Sequence, residues 1–211
     1  MKKLLCLILI LLIGSTGLSA ESSVLNFRIF LSGKLIGMHS YTIKKNSDHN
    51  LLESKADMKG AALGFINFHY NHTSSEKWSN GCLDRMDSAT DENGQFYKVT
   101  GRKTTSAFEI NSGKKTKIIN SGCVRSFVYW DLSLLQSDYL LNPQTGDFTK
   151  VQLVKEGKER IKAGDKTYDA QKYILKNKDA VIELWYDQSG RWLSLQSKTW
   201  IGQTIRYERI Q

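Results

Sequence analysis

Polar and apolar residues alternate along most of this chain with a period of two, and that pattern restricts what it can fold into. Leu25, Phe27, Ile29 and Leu31 are interleaved with Asn26, Arg28 and Phe30. Successive side chains of a strand point to opposite faces, so this spacing builds a sheet with one buried face. Ser32-Gly33-Lys34 supplies a turn, and Leu35 to Lys45 returns as the second arm of a hairpin. The rhythm recurs over Leu51–Met58, Phe65–Trp78, Leu83–Thr90 and Phe96–Thr104, then in short pieces at Ala107–Ile110 and Lys117–Asn120. It resumes from Phe148 and continues to Ile210, with turns at Ala163-Gly164-Asp165-Lys166 and Asp187-Gln188-Ser189-Gly190, and a further break expected at Glu156-Gly157-Lys158. About eleven short strands predict an all-β, or β-rich α+β, chain. A strongly curved antiparallel sheet, a half-barrel or barrel, is the arrangement that limits exposed edges.

One stretch departs from the pattern. In Ser126–Asp138, Phe127, Trp130 and Leu134 fall on one helical face, and Ser126 stands where a cap would. This predicts a short helix near 126–138, of about three turns. Pro143, the only proline, follows it within Leu140-Leu141-Asn142-Pro143-Gln144-Thr145-Gly146 and marks a fixed turn.

The first twenty residues are of a different kind. Lys2 and Lys3 precede the apolar run Leu4–Ile13, and Leu18-Ser19-Ala20 ends in small residues. This is the layout of a secretory signal peptide, with cleavage expected after Ala20 and a single β-rich domain over residues 21–211. The run is shorter than the roughly 20 apolar residues of a membrane span, and no second run follows. Cys6 precedes most of the apolar run, whereas a lipidated cysteine would follow it. The expected location is the bacterial periplasm or the exterior, with no transmembrane span after cleavage.

Cys82 and Cys123 then remain, either as two buried thiols or as a disulfide, and an oxidising compartment favours the bridge. The net charge is +9. Losing Lys2 and Lys3 leaves the mature chain basic, which serves solubility first and otherwise attraction to an anionic envelope surface. Lysines are interspersed with acids, as in Lys155-Glu156-Gly157-Lys158-Glu159-Arg160, and no basic stripe of the nucleic-acid-binding kind is present.

No catalytic set and no metal-ligand spacing stands out, and no cofactor is expected. His69 and His72, at odd spacing, point to opposite faces of a strand. Glu76 and Trp78 share a face, where desolvation beside an indole would raise the carboxyl pKa. No second carboxylate is placed to pair with Glu76, so a hydrolase using Glu76, His39 or a nearby aspartate is the weakest of three readings. The aromatics are the richest signal. Most suit a core, and His39, Tyr129, Trp130, Trp78 and Trp185 are the candidates for lining a ligand cavity. The leading expectation is a non-enzymatic protein that binds an apolar small molecule or lipid. A structural or assembly factor docking on the cell envelope is the alternative.

Four ordered strings support a resemblance. They are Gly33-Lys34-Leu35-Ile36-Gly37-Met38-His39; Glu76-Lys77-Trp78-Ser79-Asn80-Gly81-Cys82-Leu83; Trp130-Asp131 through the Leu140–Gly146 string; and Leu184-Trp185-Tyr186-Asp187-Gln188-Ser189-Gly190-Arg191-Trp192 running to Ile205-Arg206-Tyr207. Together they resemble an uncharacterised family of bacterial exported proteins known as a domain of unknown function. By analogy, the resemblance implies the architecture of periplasmic lipoprotein carriers, a curved sheet wrapped around a helix. It implies no reaction and transfers no catalytic residue.

Overall fold

The computed structural model describes residues 21–62, 64–113, 115–199 and 201–210. The expected leader over residues 1–20 and the aromatic Trp200 lie outside the described residues.

The strands follow the alternation. They are β1 (Glu21–Leu31), β2 (Lys34–Lys45), β3 (Asn50–Ala62), β4 (Ile66–Ser79), β5 (Cys82–Glu92), β6 (Gln95–Lys103), β7 (Phe108–Asn111) and β8 (Thr116–Ile119) in the first half. After an intervening stretch come β9 (Tyr139–Leu141), β10 (Phe148–Lys150), β11 (Gln152–Ala163), β12 (Lys166–Lys176), β13 (Val181–Tyr186), β14 (Trp192–Lys198) and β15 (Thr204–Ile210). Thirteen of them form one antiparallel sheet in the order β11-β12-β13-β14-β15-β1-β2-β3-β4-β5-β6-β7-β8, and β9 and β10 form a separate two-stranded ribbon. The sheet does not close, because β8 and β11 remain its edges. Consecutive strands are neighbours within β1–β8 and within β11–β15, and β15 returns to pair with β1 in mid-sheet, setting Phe27 opposite Arg209.

Three hairpins turn on Ser32-Gly33, Asn80-Gly81 and Asn93-Gly94, in each of which both residues have positive φ. That is the type I′ geometry, whose twist matches the strands it joins. Bulges correct the phase of the alternation. Pairing shifts between Lys77 and Trp78, so Leu83 and Met86 both face the core despite their odd spacing. A second shift between Trp185 and Tyr186 does the same for Trp192 and Leu195. The break expected at Glu156-Gly157-Lys158 is also a register irregularity, inside a continuous β11, where the Gln171 side-chain amide donates to the Gly157 carbonyl at 3.1 Å.

The sheet curls on itself. Phe27 of β1, Leu52 of β3, Phe108 of β7, Leu184 of β13 and Trp192 of β14 belong to one buried cluster, although these strands are far apart in sheet order. The stretch between β8 and β11 runs through the concave side and adds Val124, Val128, Leu134, Leu135, Leu140, Leu141 and Val151 to that cluster.

This inner stretch is where the three-turn helix was expected, and the structure corrects that expectation. Only Leu132–Leu135 forms a turn of 3-10 helix, capped by the Asp131 side chain, which accepts from the Ser133 N–H at 2.9 Å. Upstream the chain is extended. Ser126 bridges Leu141, and Val124, Ser126 and Val128 are buried alternately. Two competing periods overlap in the same residues, and pairing with β9 selects the period of two. Arg125 fastens the turn by donating to the carbonyls of Gly81 at 3.2 Å, Ser133 at 3.0 Å and Gln136 at 2.7 Å. Cys82 and Cys123 form a disulfide, with Cα atoms 4.9 Å apart, that ties the inner stretch to the start of β5. Among the described residues no helix is long and apolar enough to cross a membrane.

Candidate functional site

Strand register explains why the interior is not solid. On the concave face of β2 to β5, His39, Ala56, His72 and Thr90 stand in one row. Tyr41, Ser54, Ser74 and Ser88 form the next row, and Ile43, Leu52, Glu76 and Met86 the one beyond. Three serines side by side at inward positions leave space that larger apolar residues would fill. The cavity beneath the inner stretch has a volume of about 480 Å³. That lies within the roughly 300–1,000 Å³ of small-molecule sites. Phe127, Val128, Tyr129 and the Asn142–Thr145 turn roof it, and Tyr207 of β15 and Leu195 of β14 complete the wall.

Its polar groups are ordered by specific bonds. The ring of His39 hydrogen-bonds to Ser54 Oγ at 2.7 Å through Nε2 and to the Tyr41 hydroxyl at 3.2 Å through Nδ1. Both partners are hydroxyls, which donate or accept, so a neutral ring can make both bonds. Burial, and secondarily repulsion from His72, lowers the His39 pKa to about 3. His72 bonds Thr90 Oγ1 at 2.8 Å, and burial lowers its pKa to about 4. The Tyr70 hydroxyl donates to Gln144 of the roof at 3.1 Å.

Glu76 is the most unusual of these groups. It is 2 % exposed. Its Oε2 accepts from the Trp78 indole N–H at 3.0 Å and from the Ser126 hydroxyl at 2.9 Å. Its Oε1 is buried without a partner. Burial pushes the carboxyl pKa up to about 7, against the two hydrogen bonds, which pull it down. Glu76 and His39 share the face and the cavity but stand two rows apart, about 13 Å along the strands. That spacing does not make an acid–base pair. Among the described residues no cluster of three His, Cys, Asp or Glu side chains is arranged to hold a metal ion.

The five candidate residues fall in different places. His39 and Tyr129 line the cavity. Trp78 lies behind it, buried, and orients Glu76. Trp130 packs against the main core with its indole N–H unpartnered. Trp185 lies on the opposite face of the sheet, between the inward Leu184 and Tyr186, in a small outer cluster with Ala163, Ala170 and Leu193. Its indole donates to Glu159 at 3.1 Å. Ser54, Ser74, His72 and Tyr207 were not singled out from the sequence. Each is an unremarkable inward residue on its own strand, and only the register brings them together.

The profile of a family described as "Domain of unknown function (DUF6134)" matches residues 27–210. A search of curated proteins finds no match. Among solved structures, the chain is similar to the crystal structure of a β-barrel-like protein of the domain of unknown function DUF1849 from Brucella abortus. The TM-score is 0.64 at 6 % identity, over 91 % of this chain and 96 % of that one. At that identity the likeness concerns the fold alone.

Proposed function

The chain belongs to the DUF6134 family, a domain of unknown function, and we propose that it is an exported, non-enzymatic protein that binds a small, partly apolar ligand inside its curved sheet. The observation that carries this reading is the cavity of about 480 Å³ between the sheet and its inner stretch, walled by aromatic and aliphatic side chains interspersed with polar ones, several of them fixed by hydrogen bonds. The Cys82–Cys123 bridge and the leader-like first twenty residues support an oxidising, extracytoplasmic location. The distance between Glu76 and His39 favours binding over hydrolysis. Extraction of the mature protein purified from its host, followed by mass spectrometry, tests the reading. A bound organic molecule is expected with the native chain and not with Ser74→Phe, which fills the cavity. A native chain that is consistently empty and takes up no amphiphile contradicts it.

A second reading, docking on the envelope, draws on the rim of the sheet. Phe65 and Phe96 are 76 % and 78 % exposed, beside the β3–β4 and β5–β6 turns at one end of the antiparallel sheet. Co-sedimentation with anionic phospholipid vesicles tests it. Binding should fall on replacing both by serine, and unchanged or absent binding excludes this role.

A further inference from the structure

The cavity has a charge character that the rest of the chain does not share. The protein has 30 lysines and arginines against 21 aspartates and glutamates. Yet among the described residues no lysine or arginine lines the cavity, and its charged lining is Glu76, Asp147 and Asp179. The two aspartates stand toward the opening and are already paired, Asp147 with Lys117 at 2.7 Å and Asp179 with Lys178 at 3.7 Å. Glu76 forms no ion pair among the described residues, and its buried Oε1 accepts nothing. An unsatisfied buried carboxyl oxygen is costly, and such orphans call for an explanation. Four tyrosines, Tyr41, Tyr70, Tyr129 and Tyr207, line the same space. Their ring faces attract cations. The two cavity histidines are neutral and do not oppose a positive ligand.

We infer that the ligand is a protonated organic amine with an apolar body, its charge lying among the tyrosines and its N–H donating to Glu76 Oε1 after the buried carboxyl turns toward the cavity. The inference rests on the binding reading above and specifies the ligand class for that site. A cation supplies what the carboxylate lacks, a donor and a counter-charge, in surroundings where water does not screen the pair. A neutral hydroxyl head can donate to Oε1 but brings no counter-charge, and a carboxylate head brings neither. Binding is therefore coupled to ionisation of Glu76. Its neighbours in register are Leu52 and Met86, its hydrogen-bond donors are Trp78 and Ser126, and Tyr41 interacts with it from β2. Of these only Tyr41 and Glu76 titrate, and burial holds the Tyr41 phenol neutral well above its ordinary range.

Titration calorimetry with three probes that share an octyl chain separates the possibilities: octylammonium, octanoate and octyl glucoside, each below its micelle-forming concentration. Octylammonium should bind most tightly, by roughly tenfold, and Glu76→Gln should abolish that preference. Equal affinity for the three heads, or a preference that survives Glu76→Gln, overturns the amine assignment and leaves the binding reading standing. Failure of all three to bind overturns both. The native protein offers a check that does not depend on the variant's folding. Octylammonium affinity should rise between about pH 6 and about pH 8, with proton release, because the cation requires the ionised carboxylate. A flat profile contradicts the inference.

Discussion

Trp78 donates its indole N–H to the Oε2 of Glu76, two residues earlier on the same face of β4, at 3.0 Å. Ser126 reaches the same oxygen from the inner stretch at 2.9 Å. One buried carboxyl therefore joins the sheet to the segment that fills it. Glu76→Leu should leave both donors without an acceptor and cost about 1–3 kcal/mol per stranded group. Glu76→Gln keeps an acceptor and should cost less. Urea unfolding of the two variants checks the order.

The buried ionisable groups make stability depend on pH in two opposed ways. His39 and His72 have pKa values lowered from 6.5 to about 3 and about 4. Below pH 6.5 the unfolded chain binds protons that the folded one refuses, so their contribution is full above that pH and is lost as pH falls toward 4. Glu76 is raised from 4.5 to about 7, so its contribution is full below 4.5 and is lost as pH rises through 7. With two histidines against one glutamate, thermal melts should give a midpoint that climbs up to about pH 6.5 and drifts down above it. Glu76→Gln should remove the downward limb, and His39→Gln should flatten the upward one.

The Cys82–Cys123 bridge encloses a sequence separation of 41 residues. On the chain-entropy account this stabilises the fold by roughly 4 kcal/mol. A reductant, or Cys82→Ser with Cys123→Ser, should lower the melting midpoint. Amide exchange should rise first in the inner stretch around Val124, which the bridge holds against β5, rather than in β1 and β15.

Gly37 shows how closely two strands approach. A Cβ there would lie 2.0 Å from the Asp57 carbonyl oxygen, and backbone cannot yield as a side chain can. Gly37→Ala should destabilise by about 2 kcal/mol or more. Gly157, with nothing within 4 Å, should tolerate alanine with little change. Denaturant midpoints of the two variants distinguish them.

The strands and their inward faces were legible because each depends on local alternation. Leu25, Phe27 and Ile29 of β1 are read correctly from five residues of sequence. The pairing of Cys82 with Cys123 was also legible, since only these two of the three cysteines lie beyond the expected leader. The inner stretch was not, because Phe127, Trp130 and Leu134 fit a helix while Val124, Ser126 and Val128 fit an extended chain, and contacts distant in sequence decide between them. Trp185 looked like its aromatic neighbours until the sheet gave it a side, and it faces outward. The cavity wall depends on Ser54 and Ser74 meeting across two strands, with Ser88 next in the same row. No one-dimensional pattern marks that meeting; it follows from register.

Chemical-shift mapping of the isotopically labelled protein with octylammonium tests the central claim most directly. Binding in the cavity predicts saturable shifts at His39, Tyr41, His72, Glu76, Tyr129 and Tyr207, with the outer cluster around Trp185 and Leu193 unmoved. Shifts confined to the outer face or the Phe65–Phe96 rim, or no shifts at all, would contradict it.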